Sequence, residues 1–233
     1  MTIGIIGAME LEINTLKNAL ADVKITTIGN FTFYEGTIYG VPTVVSLSGI
    51  GKVSASVSTS LLIDKFRPDM IINTGTAGGL GTTSVHDIIL ATEVRHHDVD
   101  VTAFGYEIGQ QAKMPAAYLP DKKWFEVAHS VAKKHSNQLH CGLVVSGDAF
   151  ISDPKRLQQI ENMFPIAKAV EMEAAAIAQT CYLLKTPFIM LRAISDKAGE
   201  GNAISYEQFV VEAGKLSAEI NIDIIKYIAA TQN

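Results

Sequence analysis

The stretch K-T-P-F-I-M-L-R-A-I-S-D-K-A-G-E-G, residues 185–201, carries the clearest signal for the fold class. Residues 188–191 are a continuous apolar run, which predicts a strand buried on both faces at the centre of an α/β sheet. The run stops at Arg192 and leads to Asp196. Open α/β sheets bind ligands beyond the carboxyl ends of their strands, so Asp196 is a candidate for chemistry. The structural alternative is that Asp196 caps the following segment or pairs with Arg192.

The composition of the 233-residue chain indicates a substantial core, because 48% of its residues are hydrophobic and 18% are charged. The formal net charge is −5. This mild acidity disfavours nucleic acid and anionic membranes as partners and favours a neutral or cationic small ligand. The N-terminus lacks a basic region followed by an apolar run, and no apolar stretch approaches ~20 residues. We therefore expect a soluble cytoplasmic protein.

The residues that commonly bind metals give no convincing site. The two cysteines, Cys141 and Cys181, match neither a metal-binding spacing nor a disulfide framework, and their apolar surroundings predict packed thiols. The polar run 93–100 contains the adjacent pair His96 and His97. Neighbouring side chains on a strand point to opposite faces, so these histidines would not converge on one ion. We predict neither a metal nor another cofactor.

Predicted strands and helices alternate along the whole chain. The strands are predicted at 3–6, 31–38, 43–47, 70–73, 87–91, 142–146, 167–170 and 188–191. The helices are predicted at 9–20, 55–65, 121–135, 154–164, 171–184 and 205–228, the last beginning with a capping box of Ser205 and Gln208. Short strands between residues 25 and 47 indicate some antiparallel pairing. We predict an α/β fold, with residues 1–233 forming a single three-layer α/β/α domain around a central mixed β-sheet.

Polar or glycine-rich loops follow several predicted strands, at 7–12, 48–52, 74–79, 146–151, 171–173 and 192–196. If these loops meet at one rim of the sheet, the carboxylates of Glu12, Glu173 and Asp196 converge there. Apolar walls would come from Phe104, Phe150 and Met172. Such a site suits a flat aromatic ligand that carries a sugar. One carboxylate can accept hydrogen bonds from ribose hydroxyls, a second can activate water, and a third can protonate a leaving base.

Each of these features also has a structural explanation. Glu12 lies in the first turn of a predicted helix, where the helix dipole alone favours a carboxylate. Glycines such as those at 74–79 more commonly form a tight turn between a strand and a helix. Glu171 and Glu173 face different directions, so one can cap a helix while the other faces the crevice. The turn at 48–52 can hold an anion on backbone N–H groups but lacks the Walker pattern.

Seven motifs, taken in order along the chain, resemble one known family. They are G-I-I-G-A-M-E-L-E at 4–12, S-G-I-G-K-V at 48–53, I-N-T-G-T-A-G-G at 72–79, H-D-V-D-V-T-A-F-G-Y at 97–106, V-S-G-D-A-F-I at 145–151, A-V-E-M-E-A at 169–174 and R-A-I-S-D at 192–196. Together they resemble the bacterial 5′-methylthioadenosine/S-adenosylhomocysteine nucleosidases, and the resemblance covers essentially the whole chain. It implies a purine nucleoside phosphorylase-like fold and a homodimer. It also implies hydrolysis of the N-glycosidic bond of 5′-methylthioadenosine, S-adenosylhomocysteine and 5′-deoxyadenosine.

The resemblance assigns catalytic roles by motif. Asp196 is similar to the general acid that protonates N7 of adenine, and Ser195 to the residue that orients it. Glu12 is similar to the base that activates the attacking water.

The resemblance also implies a set of substrate-binding residues. Glu173 would bind the ribose hydroxyls above Met172, while Phe150 would stack on adenine and the Ile151 backbone would contact its edge. The 5′ group would be enclosed by Ile50, Tyr206 and, from the partner subunit of a homodimer, Val101, Phe104 and Tyr106. Further contacts would come from Met9, Thr76, Ala77, Gly78 and Arg192.

Three other functions compete with this one. A phosphorolytic enzyme of the same superfamily would need several cationic groups around phosphate, for which Lys52 and Arg192 are the obvious candidates, and Glu12 would repel the anion. An aminodeoxyfutalosine nucleosidase would share the hydrolytic chemistry. A non-enzymatic nucleoside-binding protein would be expected to lack Glu12 or Asp196, both of which are present.

Overall fold

The structure is a computed structural model that describes residues 1–135, 137–199 and 203–231, with backbone alone for 203–205 and 208. The predicted capping box of Ser205 and Gln208 lies outside the described side chains, and Gly201 lies outside the described residues.

Ten strands in the described part of the chain form one sheet. In chain order they are β1 (Ile3–Gly7), β2 (Ala21–Ile28), β3 (Phe31–Ile38), β4 (Val41–Leu47), β5 (Met70–Asn73), β6 (Thr76–Gly79), β7 (Ile88–His96), β8 (Leu139–Ser146), β9 (Ala167–Glu171) and β10 (Phe188–Lys197). Their order across the sheet is β2-β3-β4-β1-β5-β10-β6-β9-β8-β7, and β10 also pairs with β7. The β2-β3-β4 pairings are antiparallel, whereas β1 runs parallel to β4 and β5. The sheet is therefore mixed, as predicted.

Helices cover both faces of this sheet. They are α1 (Glu10–Ala19), α2 (Lys52–Phe66), α3 (Lys122–Ala132), α4 (Pro154–Met163), α5 (Ala174–Leu184) and α6 (Ala203–Thr231). On one face, α1 and α3 pack against α6, and on the other α2 packs against α5. This arrangement confirms the predicted three-layer α/β/α architecture.

Strand β10 lies at the centre of the fold and contributes to the core on both faces. Phe188 and Met190 pack in the cluster beneath α2 and α5, while Ile189 and Leu191 pack in the cluster beneath α1, α3 and α6. Successive side chains of a strand point to opposite faces, so a strand buried on both sides requires an uninterrupted apolar run. The prediction made from residues 188–191 is thus confirmed.

Several boundaries differ from the sequence prediction, and strand β2 (Ala21–Ile28) begins before the short strands expected between residues 25 and 47. Strand β10 continues past Leu191 to Lys197, because its second half pairs with β6. Strand β7 continues past residue 91 to His96, because its parallel pairing with β8 extends that far. The glycine-rich segment 74–79, for which a strand-to-helix turn was the structural alternative, contains strand β6, which lies between β10 and β9 in the sheet.

The two cysteines occupy different environments. Cys181 is fully buried in α5, as predicted, and burial raises the pKa of its thiol. The prediction of a packed thiol is wrong for Cys141, which is exposed because the first half of β8 lies at the periphery of the core. None of the described helices combines the length and the apolar character that spanning a membrane requires.

Candidate active site

A cleft opens where strands β1, β4, β8, β9 and β10 end at their carboxyl termini. Fourteen of the residues expected from the sequence line it: Met9, Glu12, Ile50, Thr76, Ala77, Gly78, Phe150, Ile151, Met172, Glu173, Arg192, Ser195, Asp196 and Tyr206. The lining also includes Ala8, Ala149, Val170, Glu171 and Ala198. Val101, Phe104 and Tyr106 lie outside the cleft, in and beside a short 3₁₀ helix (Thr102–Phe104), and Phe104 is 81% exposed. The ends of these strands therefore lie together around one cleft, although β8 and β9 run antiparallel to β10.

Glu12 is held by donors from two separate segments. Its Oε2 accepts hydrogen bonds from the backbone N–H of Ala8 at 2.8 Å and of Met9 at 3.1 Å. Its Oε1 accepts from the backbone N–H of Thr76 at 2.9 Å and from Thr76 Oγ1 at 3.1 Å. The first pair caps the start of α1, which is the structural role considered from the sequence. The second pair crosses to β6 and fixes the carboxylate in the buried wall of the cleft, as an acceptor.

Gly75 allows this close approach of Glu12 to β6. A Cβ at position 75 would lie 2.6 Å from Glu12 Oε1, and the backbone φ of Gly75 is +141°. Both the missing side chain and the unusual backbone angle therefore require glycine. The sequence identified 74–79 as a segment of small residues but not the carboxylate that approaches it.

Asp196 lies near the end of β10, at an irregularity in the strand. The register with β6 shifts between Ile194 and Asp196, and such bulges redirect side chains next to functional sites. Ser195 Oγ donates to Asp196 Oδ1 at 2.7 Å. Burial raises the pKa of Asp196, and the hydrogen bond from Ser195 only partly opposes this effect. Asp196 is thus a carboxyl group biased toward its protonated form.

Arg192 is paired with two glutamates, so the proposed pairing with Asp196 is wrong. Its Nη2 lies 2.8 Å from Glu171 Oε2 and 3.2 Å from Glu173 Oε2, and its Nη1 donates to the Thr76 carbonyl at 2.7 Å. Only 2% of the side chain is exposed. A buried charge needs such compensation, which explains how an arginine continues a buried strand.

Glu171 and Glu173 divide the two roles considered from the sequence. Glu171 Oε2 accepts from the backbone N–H groups of Glu173 and Ala174 at 2.9 and 2.8 Å, which caps the start of α5. Glu171 also accepts a short hydrogen bond from Ser146 Oγ. Both glutamates line the cleft, but Glu173 does not cap the helix, and its Oε1 accepts from the backbone N–H of Gly51 at 3.0 Å.

Burial raises the pKa of Glu173 to about 7. The positive charge of Arg192 opposes this shift, whereas the negative charge of Glu171 adds to it. Glu173 therefore changes its charge in the neutral pH range.

Aromatic and sulfur-containing side chains form the open side of the cleft. Phe150 is 51% exposed, and its ring meets the edge of Tyr206 with centroids 5.4 Å apart. Tyr206 Oη donates to Met9 Sδ at 3.4 Å, a weak acceptor. Burial, with a smaller contribution from Glu12, raises the pKa of Tyr206 to about 12, so the phenol keeps its proton.

Sequence reasoning missed one backbone donor of this site and one buried amide. The glycine turn at 48–52 was expected to hold an anion on backbone N–H groups, and Gly51 there donates to Glu173, whereas the N–H of Ala8, which holds Glu12, left no residue-specific signal. Asn73 accepts from Arg192 Nη2 at 3.3 Å through Oδ1. Its position as a polar residue ending the buried strand β5 was a signal that could have identified it.

The histidines weighed as metal ligands are placed apart. His96 Nε2 lies 2.9 Å from Gln179 Oε1, whereas the His97 ring packs against Gly147. Burial lowers the pKa of both histidines. Among the residues that the structure describes, no group of His, Cys, Asp and Glu side chains is arranged to hold a metal ion.

Comparison with known proteins agrees with this geometry. Residues 2–228 match the model of the phosphorylase superfamily. The 5′-methylthioadenosine/S-adenosylhomocysteine nucleosidase of Shewanella loihica is 46% identical over 230 residues, 98% of this chain and 100% of that protein. The enzyme of the same name from an Exiguobacterium species is 49% identical over 228 residues, 97% of this chain and 98% of that protein.

Solved structures give the same result. The crystal structure of the Neisseria meningitidis 5′-methylthioadenosine/S-adenosylhomocysteine nucleosidase, in complex with methylthio-immucillin-A, superposes with a TM-score of 0.95 at 46% identity, covering 97% of this chain and 99% of that chain. The crystal structure of the Colwellia psychrerythraea enzyme in complex with adenine superposes with a TM-score of 0.93 at 41% identity. The match covers 97% of this chain and 95% of that chain. The chain belongs to the phosphorylase superfamily and, within it, to the family of 5′-methylthioadenosine/S-adenosylhomocysteine nucleosidases, which are N-glycosyl hydrolases.

Proposed function

We propose that this enzyme hydrolyses the N-glycosidic bond of 5′-methylthioadenosine and S-adenosylhomocysteine, and also of 5′-deoxyadenosine, releasing adenine and the 5-substituted ribose. The observation that carries this proposal is the convergence of Glu12, Glu173 and Asp196 in one cleft with an aromatic wall. The ligands of related enzymes support it, since one relative binds methylthio-immucillin-A and another binds adenine.

Asp196 is the proposed general acid. Adenine is a poor leaving group as an anion, and protonation of N7 removes that obstacle. A carboxyl group must hold its proton near neutral pH to do this, and the raised pKa of Asp196 favours that state. Ser195 would orient the carboxyl group through its 2.7 Å hydrogen bond to Oδ1. General acid catalysis of this kind typically contributes ~10²–10⁴-fold to the rate.

Glu12 is the proposed base that activates the attacking water. Glu12 accepts all four of its hydrogen bonds in the structure, which is the arrangement that suits a carboxylate. The same negative charge would stabilise the ribosyl cation that develops as the bond to adenine breaks.

Glu173, Met172, Phe150 and Ile151 are the proposed ribose and adenine contacts. Glu173 presents a buried carboxylate that Gly51 and Arg192 hold in place, which suits an acceptor for ribose hydroxyls. Met172 would pack under the sugar. The half-exposed ring of Phe150 can stack on adenine, and the Ile151 backbone can contact the edge of the base.

The pocket for the 5′ group is proposed to be completed by a partner subunit. Ile50 and Tyr206 line the cleft, whereas Val101, Phe104 and Tyr106 would come from the second copy of a homodimer. The 81% exposure of Phe104 is compatible with this arrangement, because it leaves the ring accessible to a second subunit.

Within the chain, we propose that residues 1–233 form a single domain. This is supported by the shared sheet, in which only β5 separates the early strand β1 from the late strand β10.

Hydrolysis is favoured over phosphorolysis by the state of the two candidate cations. Lys52 Nζ lies 2.6 Å from Asp98 Oδ1, and Arg192 is paired with Glu171 and Glu173. Neither charge is therefore free to attract phosphate, and Glu12 would repel it.

The direct test is release of adenine from 5′-methylthioadenosine in phosphate-free buffer, repeated in phosphate with ³¹P NMR detection of sugar phosphates. We expect equal rates and no sugar phosphate. Release that depends on phosphate would contradict hydrolysis. Competition between 5′-methylthioadenosine and aminodeoxyfutalosine in the same assay would show which nucleoside the enzyme prefers.

A further inference from the structure

Three residues, Lys52 at the start of α2 and Asp98 and Asp148 in two separate loops, form a closed ring of hydrogen bonds beside the cleft. Lys52 Nζ donates to Asp98 Oδ1 at 2.6 Å, and the backbone N–H of Asp148 donates to Asp98 Oδ2 at 2.9 Å. The backbone N–H of Lys52 donates to Asp148 Oδ1 at 2.7 Å, which closes the ring. We call Lys52, Asp98 and Asp148 the clamp. Each belongs to a sequence motif, S-G-I-G-K-V, H-D-V-D or V-S-G-D-A-F-I, but none has a role in the proposed chemistry.

The clamp lies at the surface, where Asp98 and Asp148 are exposed as whole residues. The side chains that form its ion pair are partly shielded, with 19% of Lys52 and 20% of Asp98 exposed. Burial alone would raise the pKa of Asp98, but hydrogen bonds from Lys52 and Asp148 outweigh it and leave that pKa lowered. Charge-assisted hydrogen bonds of this kind are shorter and stronger than neutral ones.

Two walls of the cleft are attached to the clamp. Ile50 and Gly51 directly precede Lys52, and Phe150 and Ile151 closely follow Asp148. The backbone N–H of Gly51 donates to Glu173 Oε1 at 3.0 Å, so the position of this turn determines one of the contacts of Glu173. Gly51 also lies close to the clamp itself, because a Cβ at that position would lie 3.0 Å from Asp148 Oδ1.

We propose that Asp98 is a positioning residue. Through Lys52 it fixes the Gly51 turn against Glu173, and through Asp148 it fixes the loop that carries Phe150, another wall of the cleft. This inference rests on the proposed function, because it assigns Glu173 to ribose and Phe150 to adenine. The clamp would lower the cost of ordering both loops when the nucleoside binds. A network that orders the binding walls acts on the affinity of the substrate rather than on the chemical step.

The test compares KM and kcat for 5′-methylthioadenosine between variants. Asp98→Asn and Lys52→Met should each raise KM about tenfold, the effect of losing one charge-assisted interaction, and leave kcat within about threefold. The variant that combines both substitutions should also raise KM by no more than about tenfold, because the ring acts as one unit. Lys52→Arg should restore KM to within about threefold, since a guanidinium can still donate to Asp98.

Lys17→Met is the matched control. Lys17 Nζ also lies 2.6 Å from a carboxylate, Glu10 Oε2, with the two side chains 22% and 55% exposed, but the pair stands outside the cleft. The KM of the Lys17→Met variant should equal that of the unmodified enzyme. Clamp variants with the KM of Lys17→Met would overturn the proposal. So would a fall in kcat at constant KM, or single effects that multiply to about a hundredfold in the double variant.

Hydrogen–deuterium exchange separates this proposal from the proposed function. If the unmodified enzyme released no adenine, the function would be wrong, but exchange at 48–52 and 147–151 would still test the clamp. We expect faster exchange in both segments for Asp98→Asn than for Lys17→Met, with circular dichroism confirming that both are folded. Equal exchange in the two variants would contradict the proposal.

Discussion

Thr76 donates two hydrogen bonds to a single oxygen of Glu12, one from its backbone N–H at 2.9 Å and one from its hydroxyl at 3.1 Å. This contact joins the first helix of the chain to β6 in the middle of the sheet. A carboxylate that must hold a water in one orientation benefits from such fixed donors, because they need no reorganisation during the reaction.

The hydroxyl of Thr76 can be removed without changing the shape of the side chain. Thr76→Val retains the backbone donor but loses one hydrogen bond to Glu12, so kcat for adenine release should fall about tenfold. Thr76→Ser keeps the hydroxyl and should stay within about threefold of the unmodified rate. A valine variant as fast as the serine variant would show that the hydroxyl does not position Glu12.

Gly75 is expected to be essential for activity. In Gly75→Ala the new Cβ would lie 2.6 Å from Glu12 Oε1, which forces the carboxylate to move. A displacement of about 1 Å can cost about 10²-fold in rate, so we expect a loss of that size in adenine release. Gly29→Ala is the control, because Gly29 also has a positive φ, +57°, but nothing lies within 4 Å of its Cβ position. It should lose about 1 kcal/mol of stability and no activity.

Substrate affinity should depend on the charge of Glu173. Burial raises the pKa of this group to about 7, so the fraction of Glu173 that is ionised falls as the pH falls through that value. If the ionised form accepts the ribose hydroxyls, KM should rise between about pH 8 and about pH 6. Glu173→Gln should have a higher KM that no longer changes over this range. The same pH dependence in the glutamine variant would assign it to another group.

The sequence predicted the fold wherever local patterns and burial agree. Residues 188–191 read as a doubly buried strand because their side chains pack on both faces of the sheet. The end of that strand was placed too early, at Arg192. A charge normally ends a buried run, but here Glu171 and Glu173 compensate it from another strand and helix end. An ion pair between residues that are distant along the chain cannot be recognised from a short stretch of sequence.

The site was predicted mainly in its side chains. Glu12, Glu173 and Asp196 bear carboxylates close to strand ends, which suggested that they meet. The turn at 48–52 was expected to hold an anion on backbone N–H groups, and the N–H of Gly51 donates to the carboxyl group of Glu173. The N–H of Ala8 could not be predicted, because every residue except proline has one and only the folded backbone aims it. The resemblance to a known family supplied the individual roles, which stay predictions until variants are measured.

The central claim is that Asp196 protonates adenine while Glu12 activates water. The most direct measurement is the single-turnover rate of adenine release from 5′-methylthioadenosine for the unmodified enzyme, Asp196→Asn and Glu12→Gln, with circular dichroism showing that each variant is folded. Each variant should be slower by at least about 10²-fold. In the unmodified enzyme the rate should fall as the pH rises through the raised pKa of Asp196, because the acid loses its proton. Release at a near-unmodified rate by folded Asp196→Asn would contradict the account.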